Sequence, residues 1–111
     1  MPVTEIKSES QYLDAIKDSG AIAAVQFVAP WDESCKSISP KFRSLSDNER
    51  WNKTMRFYQV DICDQQDVAM DSKVEMAPTF HFYRGGDKIK EYVGSSHPAL
   101  ERVMGAVVAG H

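Results

Sequence analysis

Cysteine is scarce in this chain: Cys35 and Cys63 are the two in 111 residues. So few thiols exclude a small disulfide-scaffolded domain. A chain of this length buries somewhat under ~70% of its unfolded surface and needs no such scaffold. Basic residues are not in surplus: 13 Lys and Arg against 16 Asp and Glu leave a net charge of −3. That balance argues against nucleic acid or an acidic membrane as a partner held by bulk charge. No apolar run approaches the ~18 residues that a membrane helix needs. Repeats, low-complexity tracts and linkers are missing, so residues 1–111 read as one domain. The start, Met1-Pro2-Val3-Thr4-Glu5, lacks the basic-then-apolar layout of a secretion signal. With two thiols and no scaffold, a reducing, cytoplasmic compartment is the expected location. Two cysteines and three histidines at scattered spacings do not make a metal site, and no cofactor is expected.

What is present is organised around one short stretch, Trp31-Asp32-Glu33-Ser34-Cys35-Lys36, with Pro40 after it. Ala21 to Ala29 is apolar and short, which fits a central strand covered on both faces. From about Asp32, the positions Cys35, Ile38, Phe42 and Leu45 make one helical stripe. Pro40 inside it removes a backbone hydrogen bond and is expected to kink the helix. Asp32 is placed to cap that helix, and Cys35 falls in its first turn.

The flanking segments complete a β-α-β-α-β-α-β-β-α order. Val3 to Ile6 reads as a short strand. Ser8 to Asp18 reads as a helix with a capping box at Ser8 and Gln11, its apolar face formed by Tyr12, Leu13 and Ile16. A polar connector, Asp47 to Lys53, encloses Trp51 and leads to a strand from Met55 to Asp61. Asp64 is expected to cap a short helix through Asp67, Val68 and Met70. Thr79 to Tyr83 and Lys88 to Val93 form a hairpin across Arg84-Gly85-Gly86-Asp87. His97-Pro98 opens a last helix through Leu100, Val103 and Val107, with His97 as its cap. Strands separated by helices imply parallel pairing, and the hairpin adds antiparallel strands. The result is an α/β fold, one mixed sheet with helices on both faces.

Over nearly its whole length the chain resembles the thioredoxins. The resemblance rests on Phe27-Val28-Ala29-Pro30-Trp31, Cys35-Lys36, Pro40, Phe57-Tyr58-Gln59-Val60-Asp61 and Asp67-Val68-Ala69. It continues through Ala77-Pro78-Thr79-Phe80, Gly85-Gly86 and Val93-Gly94. It implies a thioredoxin fold, a central mixed five-stranded sheet flanked by four helices. It further implies a cis bond before Pro78 and a peptide groove formed by Trp31, Glu33, Ser34, Ala77, Pro78 and Gly94. Ala77 would offer backbone hydrogen bonds to an extended peptide or protein partner. Pairing of two copies through the same face is a further expectation.

The redox motif departs from the family. Where thioredoxins read Trp-Cys-Gly-Pro-Cys, this chain reads Trp31-Asp32-Glu33-Ser34-Cys35. The first family cysteine is the nucleophile whose thiolate forms the mixed disulfide, and Asp32 cannot form one. The family's buried Asp corresponds to Gln26, and a nearby Lys corresponds to Gln59. A lone buried carboxylate is costly, whereas two amides can satisfy each other. The expected function is therefore a binding module with dithiol–disulfide exchange lost or very weak. The alternative is a monothiol oxidoreductase using Cys35 through a mixed disulfide or glutathione. A similar Asp-x-x-Cys turn occurs in the longer thioredoxin-fold proteins of the spliceosome, which lack the Pro78 feature. Asp32 reads foremost as a helix cap, Cys35 as a buried small residue of normal or raised pKa, and Cys63 as a surface thiol. His81, on a strand, and His97 have no evident ligand-type neighbours.

Overall fold

A strand of seven consecutive buried residues, β2 (Ile22–Val28), sits in the middle of the sheet. In the computed structural model, which describes residues 3–110, the chain runs β1 (Thr4–Glu5), α1 (Glu9–Lys17), β2, α2 (Glu33–Ser46) and α3 (Glu49–Asn52). It continues through β3 (Met55–Asp61), α4 (Gln66–Asp71), β4 (Thr79–Arg84), β5 (Asp87–Val93) and α5 (His97–Ala109). The ends of the 1–111 domain assignment, Met1, Pro2 and His111, lie outside the described residues.

The sheet order is β1-β3-β2-β4-β5. β1 and β2 both pair with β3 in parallel, while β4 pairs antiparallel with β2 and β5 antiparallel with β4. The thioredoxin fold and its five-stranded mixed sheet are as the sequence implied. The pairing implied for β4 differs: although α4 separates it from β3, β4 enters the sheet in the opposite sense beside β2.

Alternation along the strands divides the core in two. Ile22 and Ala24 of β2, with Phe57, Phe80 and Phe82, face Ile38, Phe42 and Leu45 of α2, Trp51 of α3 and Leu100, Met104 and Val107 of α5. Ala23, Val25 and Phe27 face the other way, against Tyr12, Ala15 and Ile16 of α1 and Val68 of α4. The helical stripe Cys35, Ile38, Phe42, Leu45 is buried throughout. Pro40 is exposed, and α2 runs on past it to Ser46.

Five helices are present among the described residues, not four. The extra one, α3, forms inside the polar connector because the Asn48 side chain caps it, accepting from the Arg50 N–H at 2.9 Å, and because Trp51 is buried at 2% exposure. Leu13 is also misplaced by helical periodicity. It is 39% exposed, and Ala15 takes its place on the buried face.

Two caps move by one element of local chemistry. Asp64 caps nothing: the Asp61 carboxylate at the end of β3 accepts from the backbone N–H groups of both Cys63 and Asp64, at 2.9 and 3.2 Å. The helix α4 then starts at Gln66, its N-cap residue Gln65 making no side-chain cap bond. Ser96, not His97, caps α5, its hydroxyl accepting from the Ala99 N–H at 3.3 Å. His97 becomes the first helical residue and donates from Nε2 to the Ser37 carbonyl of α2 at 3.2 Å. Ser8 caps α1 as expected, although Gln11 returns its bond to the N–H of Lys7.

Phe42 is fully buried with its ring 5.3 Å from both Phe57 and Phe80. Phe42→Ala should therefore lower the unfolding free energy by about 3–5 kcal/mol, read as a reduced urea midpoint with an unchanged slope. A loss under about 1 kcal/mol would contradict this packing.

Candidate functional site

The turn between β2 and α2 is built by one carboxylate. Asp32 has extended backbone and stands at the N-cap of α2, its Oδ1 accepting from the Cys35 N–H at 3.1 Å. Its own N–H donates to the Ala29 carbonyl at 3.0 Å, and its carbonyl accepts from the Lys36 N–H at 3.1 Å. These bonds hold the turn closed and satisfy groups that a helix start leaves free. Glu33 lies next to the dipole's positive end and pairs with Lys36 at 3.5 Å, both exposed. Such a pair contributes little in water. Ser34 is exposed as well.

Cys35 lies beneath this turn at 3% exposure. A cysteine in the first turn of a helix ordinarily has a lowered pKa. Here burial pushes the thiol up, and the Asp32 carboxylate adds to that, both by its charge and by accepting from the thiol; a backbone bond at Ala29 opposes them. The result is a sulfur held in the thiol form. Cys63 is exposed, and both cysteines are free.

Below Cys35 the expected amide pair is in place. Gln26, fully buried, accepts at Oε1 from Gln59 Nε2 at 3.0 Å, its direct cross-strand partner. Its own Nε2 donates to the Ser39 hydroxyl of α2 at 3.1 Å. Ser39 was not anticipated; it lies one helical turn beyond Cys35, and that spacing was the available signal. A cleft of about 360 Å³ opens beside this group, lined by Cys35, Lys36, Ser39, Gln59 and Asp61 among others.

The second half of the site is the start of β4. The Ala77–Pro78 peptide is cis. Pro78 is buried and Ala77 half-buried. Gly94 donates its N–H to the Pro78 carbonyl at 3.1 Å, tying the ends of the β4–β5 hairpin together. Its φ of +145° and the Tyr92 hydroxyl, which would lie 2.8 Å from an added Cβ, leave room for glycine alone. Trp31 lies in the turn before α2. Its ring is 66% exposed and belongs to neither core cluster nor to the Cys35 cleft. Two further exposed apolar side chains were missed by sequence reasoning, Met76 and Val93, which line one small cleft with Thr79. Both flank landmark residues, Pro78 and Gly94, and that adjacency was the signal.

His81 lies on a strand, β4, as expected. It is fully buried and touches both Tyr83 and Glu91. Among the described residues no group of three His, Cys, Asp or Glu is arranged to hold a metal ion, and no helix is long and apolar enough to cross a membrane.

A β4 that follows a cis-proline and pairs with β2, whose end leads into a strand-to-helix turn, on a sheet ordered in this way, defines a protein of the thioredoxin fold. The chain belongs to the thioredoxin family, whose profile matches residues 3–106. It is 36% identical to human thioredoxin over 107 residues, covering 96% of this chain and 99% of that one. It is 35% identical to thioredoxin Asp f 29 of Aspergillus fumigatus over 107 residues, covering 96% of both. Among solved structures, the Malassezia sympodialis thioredoxin Mala s 13 superposes with a TM-score of 0.89 at 28% identity, covering 96% of this chain and 93% of that one. The Plasmodium falciparum thioredoxin gives 0.86 at 25% identity, covering 94% and 98%.

The two thiols should separate in an alkylation experiment at pH 8. Iodoacetamide should label Cys63 quickly and Cys35 slowly in the folded protein, so Cys63→Ser should abolish the fast phase. Asp32→Ala should lower stability by about 0.5–2 kcal/mol through loss of the cap and quicken labelling of Cys35. Fast labelling of Cys35 in the natural chain would refute the covered-thiol geometry.

Proposed function

We propose that this thioredoxin-family chain is a binding module that recognises an extended peptide or protein partner and has lost dithiol–disulfide exchange. One observation carries the reading: Asp32 occupies the position of the family's nucleophile and spends its carboxylate on the N-cap of α2, bonded to Cys35 N–H. A disulfide is reduced when a thiolate attacks one of its sulfurs and the other leaves. An oxygen acid in that place forms no mixed disulfide.

The remaining parts of the redox machinery agree with this. Gln26 and Gln59 bond each other where the resemblance places an acid and its charge partner, and a neutral amide does not take a thiol's proton. Burial and the Asp32 carboxylate both favour the neutral thiol at Cys35, which weighs against the monothiol route by mixed disulfide or glutathione.

The recognition face is better preserved than the chemistry. Trp31, Met76 and Val93 are large apolar side chains left in solvent, and Glu33, Ser34, Ala77, Pro78 and Gly94 complete the groove by resemblance. An extended segment would bond the backbone at Ala77 while its side chains meet Trp31. A second copy of the chain is one partner that such a face would accept. A reducing, cytoplasmic setting suits two free thiols.

Insulin reduction with dithiothreitol tests the loss of exchange. The natural protein should not accelerate it beyond a Cys35→Ser control. Asp32→Cys combined with Gln26→Asp should gain activity, since the fold and groove remain. Insulin reduction by the natural protein well above the Cys35→Ser control would overturn the reading.

A further inference from the structure

A buried polar string runs across the α1 and α4 face of the sheet, away from Asp32 and Cys35. Tyr12 of α1, His81 of β4 and Tyr83 of β4 are 3%, 0% and 5% exposed. The Tyr12 and Tyr83 hydroxyls are 2.6 Å apart, and Tyr83 Oη lies 2.9 Å from His81 Nδ1. His81 Nε2 reaches Glu91 Oε2 on β5 at 3.3 Å, and Glu91 Oε1 accepts from Lys88 at 3.3 Å. The string therefore leads from the core to a half-exposed ion pair on the outer strand.

Hydrogen-bond counting gives this string a direction. With His81 neutral, Nε2–H donates to Glu91 and Nδ1 accepts from the Tyr83 hydroxyl. Tyr83 then accepts from Tyr12, and every donor has an acceptor. A second proton on His81 turns Nδ1 into a donor aimed at Tyr83 Oη. The Tyr83 hydroxyl then donates to Tyr12, and the Tyr12 hydroxyl turns to the Ser72 hydroxyl beside it. A cleft of about 290 Å³ adjoins both tyrosines, lined also by Asp71, Ser72, Lys73 and Lys88.

We propose that His81 is a proton-sensitive switch in the β4–β5 hairpin: its protonation reverses the Tyr12–Tyr83 string and weakens the strands whose ends adjoin Pro78 and Gly94. The placement fits such a role. His81 is the cross-strand partner of Glu91 in the same ladder that pairs Thr79 with Val93, next to Pro78 and Gly94. A shift of register between Phe82 and Tyr83 sets Tyr83 opposite Lys88.

The groups facing His81 are few. β5 presents Glu91 and Lys88, β4 presents Tyr83, and α1 presents Tyr12. β2 presents the Phe27 ring at 4.9 Å and Val25, and α4 contributes Val68 to the same cluster; none of these titrates. Burial lowers the His81 pKa from its ordinary 6.5, Lys88 lowers it further, and Glu91 opposes them in part. The sign follows from linkage. Above about pH 6.5 the histidine is neutral whether the chain is folded or unfolded, and the fold has its full stability. As the pH falls from there through the lowered value in the fold, the unfolded chain takes up the proton first and stability is lost.

Two measurements test the switch. The His81 ring, followed by NMR in the natural protein and assigned by elimination with His97→Gln and His111→Gln, should titrate below pH 6.5. A midpoint at or above 6.5 overturns the proposal. Urea unfolding between pH 7.5 and 5.5 should show the unfolding constant of the natural protein rising toward the limit of about tenfold per pH unit for one proton. In His81→Gln, whose side chain does not titrate, that rise should shrink by the histidine's share. Parallel curves for the two proteins overturn the proposal, and if the variant does not fold the ring titration decides alone.

Discussion

β2 has hydrogen-bonded neighbours on both edges, β3 and β4, and helices over both faces, so nothing about its position is free to vary. Its seven residues are all buried, and their alternation allots Ile22 and Ala24 to one core and Ala23, Val25 and Phe27 to the other. A one-residue slip would exchange the two sets and place them against the wrong helices. The end of this strand delivers the chain to the Asp32 turn, and its neighbour β4 delivers Pro78. The two halves of the site are thus fixed by one strand to which neither belongs.

On that frame, local hydrogen bonding decides what the site can do. A helix start presents free N–H groups, and an aspartate satisfies them better than a cysteine would. Burial, helped by the same carboxylate, raises the energy of a thiolate in the first turn, reversing the influence that a helix start usually has on cysteine. Below it, a buried acid would need a partner charge or a proton, whereas the Gln26, Gln59 and Ser39 group is neutral and bonded in the folded state. Capping and core satisfaction both favour a stable site.

The sequence carried most of the fold. Strand limits at Met55–Asp61 and the stripe Cys35, Ile38, Phe42, Leu45 follow from periodicity, which is a local property. Where reading failed, short-range polar competition was usually responsible. Asp61 took the N–H groups of Cys63 and Asp64 before Asp64 could act as a cap, and Ser96 outranked His97 because its hydroxyl reaches the Ala99 N–H. Trp51 made a helix out of a polar connector because the core had room for its ring.

The site divides along the same line. By itself the sequence determined that Asp32 can cap the helix, that Cys35 follows it by one helical turn, and that glycine sits at Gly94, because each is a matter of residue type at a given position in the chain. Only the tertiary structure decided that Cys35 is covered, that Gln26 bonds Ser39 as well as Gln59, and that Tyr12, His81, Tyr83 and Glu91 form one string. Those residues are far apart in the chain, and the bonds between them exist only once α1, α2, β3 and β5 have packed around the central strands. Hydrogen bonds of that kind are set by distances of a few tenths of an ångström, which no pattern of residue types along a chain encodes.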